Sequence, residues 1–118
     1  MLPGVGDVYG AGKFGIKAAK AYRRLQNLEN KYAKRIHKSL DETGKKKFEK
    51  SMRSKGVNDA RKDQKAGIGH KGEPLYEKGN DVEGHHISPV SKDKEHMSDP
   101  RNIKLMHHDE HVKLHRNE

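Results

Sequence analysis

The last third of the chain concentrates side chains that can support metal-assisted hydrolysis. Two histidines are adjacent at His85-His86, and two more stand four residues apart at His111 and His115. Residues four apart on a helix share one face, so His111 and His115 can offer two imidazole nitrogens to one ion. One histidine of the adjacent pair can supply a third ligand from a strand, while the other stays beside the ion as a base. Three protein ligands leave open positions, as a catalytic metal site requires.

Phosphodiester hydrolysis is the reaction that this combination suits. An imidazole has an ordinary pKa near 6.5, so it can take a proton from water at neutral pH. A cation stabilises the charge that develops on the phosphate and the leaving oxygen. Two plainer interpretations stay open on these residues alone. His111 and His115 could be a solvated pair on a helix surface, and His86 could be the ligand in place of His85.

The elements that must position these histidines form a strand, a loop, a second strand and a helix. A short strand is predicted over residues 82–87, where it ends at the histidine pair, and residues 88–101 form a polar loop. Residues 103–106 alternate between apolar and polar side chains, which predicts a second strand. A final helix begins near His107 or His108, and acidic residues in its first turn suit the positive end of the helix dipole.

A long helix is predicted before this unit, over residues 16–42, because apolar residues recur at steps of three and four. We expect this apolar stripe to be core material and Gly44 to end the helix. Residues 1–15 are glycine-rich and are interpreted as a linker or the end of a preceding region. The stripe consists of Ala18, Tyr22, Leu25, Leu28, Tyr32, Ile36 and Leu40.

A second, weaker helix is predicted over residues 45–65, with an interruption at Gly56. Residues 67–81 are rich in turn-forming residues and should connect it to the first strand. The predicted fold class is therefore α+β, with a mainly helical, basic part over residues 16–81 and a strand-strand-helix unit over residues 82–118. His37, His70 and His96 are interpreted as surface residues.

The charge distribution separates the same two parts. The chain has 118 residues and a formal charge of +9. Residues 1–81 hold 20 Lys/Arg against 10 Asp/Glu, and residues 82–118 hold 6 against 7. Basic bias is typical of nucleic-acid binding, although a solvated helix face gives the same composition. The candidate phosphate contacts are Arg61, Lys62, Lys65 and Lys71.

Composition excludes several other classes of protein and site. There is no Cys, so disulfides and thiolate zinc sites are excluded. No run approaches the roughly 18 apolar residues of a membrane span. The first residues do not follow the pattern of a secretory signal. We interpret the chain as a fragment of a larger protein, with Met1 added for expression.

The order of these residues resembles a known nuclease motif. His85-His86, Asn102 and His111-x-x-x-His115 are similar to the His-Asn-His (HNH) motif, also called the ββα-metal or His-Me finger. The likeness extends especially to the DNase domains of colicins and pyocins. The string Gly84-His85-His86, followed by 99–103, resembles GHH-type bacterial polymorphic-toxin nucleases even more closely. The resemblance covers about residues 82–116.

The resemblance implies a role for each residue of the motif. Asn102 would hydrogen-bond the backbone of the loop between the strands, although an ordinary turn residue is the plainer interpretation. Glu83 matches a carboxylate that supports the site in colicin enzymes, although it could be a plain surface charge. His86 would be the general base, and the metal ligands would be His85, His111 and His115.

The function implied is a metal-dependent endonuclease that cuts DNA with little sequence preference. It would be the C-terminal toxin module of an antibacterial effector, made in the bacterial cytoplasm, delivered into a target cell and neutralised by an acidic immunity protein. It would be a monomer, or a heterodimer with that inhibitor. Its cofactor would be one divalent ion, Mg, Mn, Zn or Ni.

Three alternatives stay open at this point. The chain could be a phage or mobile-element HNH endonuclease that acts on junctions or specific sites. It could instead be a non-catalytic nucleic-acid-binding module with a structural zinc, which would need a fourth ligand such as His107. RNA also remains a possible substrate.

Overall fold

The computed structural model describes residues 16–77, 79 and 81–116, with side chains from residue 20 onward. The predicted α+β class is confirmed. The α-helices of this part are α1 (Ile16–Ser39), α2 (Glu42–Lys65) and α3 (His108–Arg116), and the strands are β1 (Val82–His86) and β2 (Ile103–His107). The glycine-rich segment 1–15 lies outside the described residues. No helix in the described part is long and apolar enough to cross a membrane.

The turn between α1 and α2 lies earlier than the sequence predicted. α1 ends at Ser39, and α2 begins at Glu42 with Asp41 as its N-cap. The Asp41 carboxylate accepts a hydrogen bond of 2.7 Å from the backbone N–H of Gly44. The prediction that Gly44 ends the first helix is therefore wrong, because the Asp41 cap starts a new helix that already contains Gly44.

α2 also continues through Gly56, so the predicted interruption is wrong. Gly56 is buried inside the helix. A Cβ at this position would lie 3.0 Å from the carbonyl oxygen of Met97 and 3.2 Å from the Cα of Ser98. The glycine is thus a point of close approach between α2 and the loop after β1, and this approach outweighs its low helix propensity.

The middle of the apolar stripe of α1 is not core material, contrary to the prediction, while the side chain of Ala18 lies outside the described residues. Leu25, Leu28, Tyr32 and Ile36 are 46–62% exposed. The side of α1 that packs against the rest of the chain is instead largely polar. Its buried side chains are Gln26, Asn30, Ala33 and His37.

Polar contacts hold this inner face of α1 in place. The Asn30 amide donates a 2.8 Å hydrogen bond to Asp99, which lies in the loop before β2. His37 contacts Glu49 of α2 at 2.7 Å and is only 6% exposed, so its prediction as a surface residue is wrong. Since buried polar groups favour structures in which they are paired, these contacts decide which face of α1 turns inward.

Asp63 forms a further polar contact at the other end of the two helices. Tyr22 donates a 3.0 Å hydrogen bond to Asp63, and Arg23 forms a 3.4 Å ion pair with it. Burial raises the pKa of Asp63 to about 6, although the nearby Arg23 charge and the Tyr22 hydrogen bond oppose this shift.

The two strands pair in an antiparallel sheet whose register runs from Val82 opposite His107 to His86 opposite Ile103. One face packs on α2 through a small apolar cluster. A Cβ at Gly84 would lie 2.7 Å from the Val57 side chain of α2, so a residue without a side chain permits this packing. α3 follows β2 directly. The cluster consists of Ala60, Val82, Ile103 and Leu105, with Val57 and Tyr76 against it.

Candidate metal centre

Three imidazoles converge where the sheet meets α3. His85 comes from β1, and His111 and His115 come from successive turns of α3. Each offers one ligand nitrogen, and these three atoms all lie within 4.8 Å of one another. The Nε2 atoms of His111 and His115 are 2.9 Å apart. His85 lies deepest, and His115 is exposed. The predicted trio is thus brought together in a geometry from which one ion could be bound.

Glu83 fixes the orientation of one of these rings. Its carboxylate lies 2.8 Å from Nδ1 of His111 and 2.8 Å from Nδ1 of His108. Because a carboxylate accepts hydrogen bonds, it favours the tautomer of His111 that is protonated on Nδ1. The Nε2 lone pair of that tautomer then faces the other two imidazoles. Hydrogen bonds from His111 and His108 lower the pKa of Glu83, which keeps it ionised at neutral pH.

His86 lies beside the trio but is not a member of it. Its Nε2 is 2.9 Å from the carbonyl oxygen of Met97. A carbonyl can only accept, so Nε2 carries the proton in the neutral ring and Nδ1 keeps a free lone pair. Burial, together with the Arg53 charge, lowers the pKa of His86 below its ordinary value. The ring is therefore neutral at pH 7 and able to accept a proton.

Asn102 holds together the loop that carries Met97. Its Oδ1 accepts a 2.8 Å hydrogen bond from the N–H of Ser88, and its Nδ2 donates 3.1 Å bonds to the carbonyls of Ser88 and His96. Its own backbone carbonyl accepts a 2.8 Å bond from Ile87. One side chain thus joins the start of the loop to the segment next to Met97.

Sequence reasoning missed Arg53, which the fold places at this site. An open cavity of about 290 Å³ is lined by His85, His86, His111 and His115, and by Arg53 of α2. Glu49 lies 3.9 Å from the Arg53 guanidinium. No local motif distinguishes Arg53 from the other basic residues of α2, since only the packing of α2 on the loop after β1 brings it here.

The predicted phosphate contacts lie elsewhere on the surface. Arg61 is half-buried, with its guanidinium 4.2 Å from the centre of the Tyr76 ring. Lys62, Lys65 and Lys71 are exposed. None of these four residues lines the cavity beside the histidines.

His107, the predicted fourth ligand of a structural zinc, points to a different partner. Its Nδ1 lies 2.9 Å from the Asp81 carboxylate, and this contact raises the pKa of His107. Among the residues that the structure describes, the group able to hold an ion comprises His85, His111 and His115.

The donor set narrows the choice of ion. Three neutral imidazoles suit Zn, Ni, Co or Cu ions, whereas Mg prefers oxygen ligands.

No protein-family model matches this chain, and no curated protein or solved structure matches it either. The chemical interpretation of the site therefore depends on its own residues.

Proposed function

We propose that this chain is a metal-dependent endonuclease that hydrolyses DNA phosphodiester bonds with little sequence preference, in the manner of HNH enzymes. One observation carries the proposal: three imidazoles from β1 and α3 converge, and a fourth, neutral imidazole is held beside them by a backbone carbonyl. A purely structural ion site has no need of this fourth ring.

Each residue of the site has a separate role in the proposed hydrolysis. His86 takes a proton through Nδ1 from the water that adds to phosphorus, and the bond from phosphorus to the leaving oxygen breaks. Glu83 keeps His111 in the tautomer that a ligand needs. When bound by His85, His111 and His115, a divalent ion supplies positive charge for the phosphate and the leaving oxygen.

Arg53 completes the site as a phosphate-binding group. A guanidinium donates in a fork that matches two phosphate oxygens, and its charge opposes protonation of His86. We expect Arg53→Ala to raise KM and lower kcat, while the affinity for the metal stays unchanged. Arg24→Ala, an exposed arginine of α1, serves as the matched control. Equal activity of the two variants would remove Arg53 from the mechanism.

DNA is proposed as the substrate because α1 and α2 carry a large excess of positive charge, and Arg53 of α2 lines the cavity at the histidines. These helices hold 17 Lys/Arg against 5 Asp/Glu. Binding dominated by phosphate contacts loses affinity steeply as salt rises. Cleavage that stays constant between low and moderate salt would contradict this mode of binding.

The biological setting proposed is that of an antibacterial toxin module. It would be made in the bacterial cytoplasm and delivered into a target cell, and an acidic immunity protein would neutralise it. Excess positive charge favours rapid association with such an inhibitor. Expression of the free chain in a bacterium without growth inhibition, from a protein active in vitro, would contradict this setting.

Plasmid digestion tests the central proposal. Wild type should nick and linearise plasmid with Zn, Ni, Mn or Mg present and lose this activity in chelator. His86→Ala should lose at least a hundredfold in rate, because general base catalysis contributes about 10²–10⁴-fold, and should still bind metal. His111→Ala should lose metal binding as well. Plasmid that stays intact with every ion would refute the proposed nuclease activity. Loss of metal binding in the His86→Ala variant would refute the assignment of His86 as the base.

A further inference from the structure

A shallow apolar groove lies between α1 and α2, distinct from the cavity at the histidines. Its volume is about 220 Å³, and Ala33 and Ser98 contribute to its lining. The larger apolar side chains come from both helices. They are Tyr32 and Ile36 of α1, and Phe48 and Met52 of α2.

The packing of α1 against α2 leaves this apolar surface exposed. α1 turns a largely polar face inward, and Tyr32 and Ile36 remain 62% and 46% exposed. Leu28 and Leu25, one and two turns before Tyr32 on the same side of α1, are 53% and 59% exposed. Continuous exposed apolar patches of this kind mark interaction sites, whereas single exposed residues do not.

The charge around the groove indicates the chemistry of its occupant. Exposed Arg35 lies one turn from Tyr32, and exposed Lys47 precedes Phe48. The groove's own carboxylate, Glu29, lies 3.3 Å from the ammonium of Lys55, which also contacts Asp59 at 2.8 Å. A second copy of the chain would bring the same basic helices against each other, so like charges oppose self-association. An acidic occupant relieves this charge.

The shape favours a helix as the occupant. Two helices form the walls of the groove, and Ser98, from the loop before β2, lies between them. A concave channel of this kind accepts the apolar face of an amphipathic helix, with anchors spaced at i, i+3 or i+4, and i+7.

We propose that the α1–α2 groove docks an acidic amphipathic helix of a partner protein. Its apolar side chains enter between Tyr32, Ile36, Phe48 and Met52, and its carboxylates face the surrounding Lys and Arg side chains. This docking does not depend on the nuclease activity proposed above. It uses none of the histidines of the metal centre.

A synthetic peptide tests the groove directly. The probe is a fluorescent 18-residue helix with Leu on one stripe and Glu on the remaining surface, and the comparison peptide has the same composition with its Leu residues scattered. We expect the striped peptide to bind the full chain at least tenfold more tightly than the scattered one. Its affinity should fall as salt rises. Equal binding of the two peptides would overturn the proposal.

Matched variants locate the binding surface. Tyr32→Ser/Ile36→Ser should weaken binding of the striped peptide at least tenfold, and both residues are exposed enough for the fold to be retained, which circular dichroism checks. Leu75→Ser, at an apolar residue 65% exposed outside the groove, should change nothing. Unchanged binding by the double variant would refute the assignment.

Two further measurements separate the competing occupants. Sedimentation of the wild type should show a monomer across a wide concentration range. Vesicles of anionic phospholipid should bind wild type and the double variant equally, through charge alone. A dimer that the double variant abolishes, or vesicle binding that it weakens tenfold, would replace the acidic helix by a second copy or by a membrane surface.

Discussion

Asn102→Asp tests whether the hydrogen-bonded loop is what positions the base. The substitution preserves the shape of the side chain and the oxygen that accepts from the N–H of Ser88. It removes both donated bonds, to the carbonyls of Ser88 and His96. At neutral pH it also places a carboxylate oxygen 3.1 Å from each of those two carbonyl oxygens, where it is repelled.

The expected loss of stability follows from these contacts. A neutral hydrogen bond contributes about 1 kcal/mol, so losing two removes about 2 kcal/mol. Repulsion between the carboxylate and the carbonyls adds to this, for a total of roughly 2–4 kcal/mol at pH 7. At acidic pH the carboxyl group is protonated and can donate one bond again, so the deficit should shrink.

Urea unfolding at pH 7 and at about pH 4.5 measures both effects, and plasmid cleavage measures the consequence for the site. Asn58→Asp is the matched control, because Asn58 is an exposed residue of α2. Cleavage by folded Asn102→Asp should fall at least tenfold, since Met97 of the same loop holds His86. If Asn102→Asp matches Asn58→Asp in stability and in pH dependence, the proposed role of the loop is wrong.

Three further predictions address other contacts of the site and the fold. Gly56→Ala should lower the free energy of unfolding by about 0–2 kcal/mol, because overpacking against Met97 costs about 1–3 kcal/mol and the higher helix propensity of alanine restores about 1 kcal/mol. It should also lower the cleavage rate more than the exposed substitution Ser54→Ala does. Glu83→Ala should weaken zinc or nickel binding about 10–100-fold by calorimetry, with Glu110→Ala unchanged. The pKa of Asp63 is raised from 3.8 to about 6 in the folded state, so the fold favours the protonated carboxyl group. Its contribution to the free energy of unfolding is therefore complete below about pH 4 and is lost as the pH rises through about 6. Relative to Asp63→Asn, wild type should therefore lose up to about 3 kcal/mol between those values in urea titrations, and a constant difference would contradict the buried carboxyl.

The sequence by itself predicted the elements that carry the site and the residues that meet there. The two predicted strands and the predicted final helix lie within a residue or two of β1, β2 and α3, because the alternation in the second strand and the acidic first turn of the helix are local signals. The four-residue spacing of His111 and His115 places both on one face of a helix. The antiparallel pairing of β1 with β2 brings His85 next to that face.

Tertiary structure alone decided which surface of each helix faces inward and what surrounds the histidines. The apolar stripe of α1 predicted a buried face, but buried hydrogen-bond partners such as Asp99, about 70 residues away in sequence, turn the polar face inward. Gly56 was predicted to interrupt α2 but is a point of close packing against the loop after β1. Arg53 reaches the cavity only because of that packing. A local pattern contains no information about partners that are distant in sequence. Whether a polar side chain can be buried depends on such partners, because its desolvation is offset only when it is hydrogen-bonded.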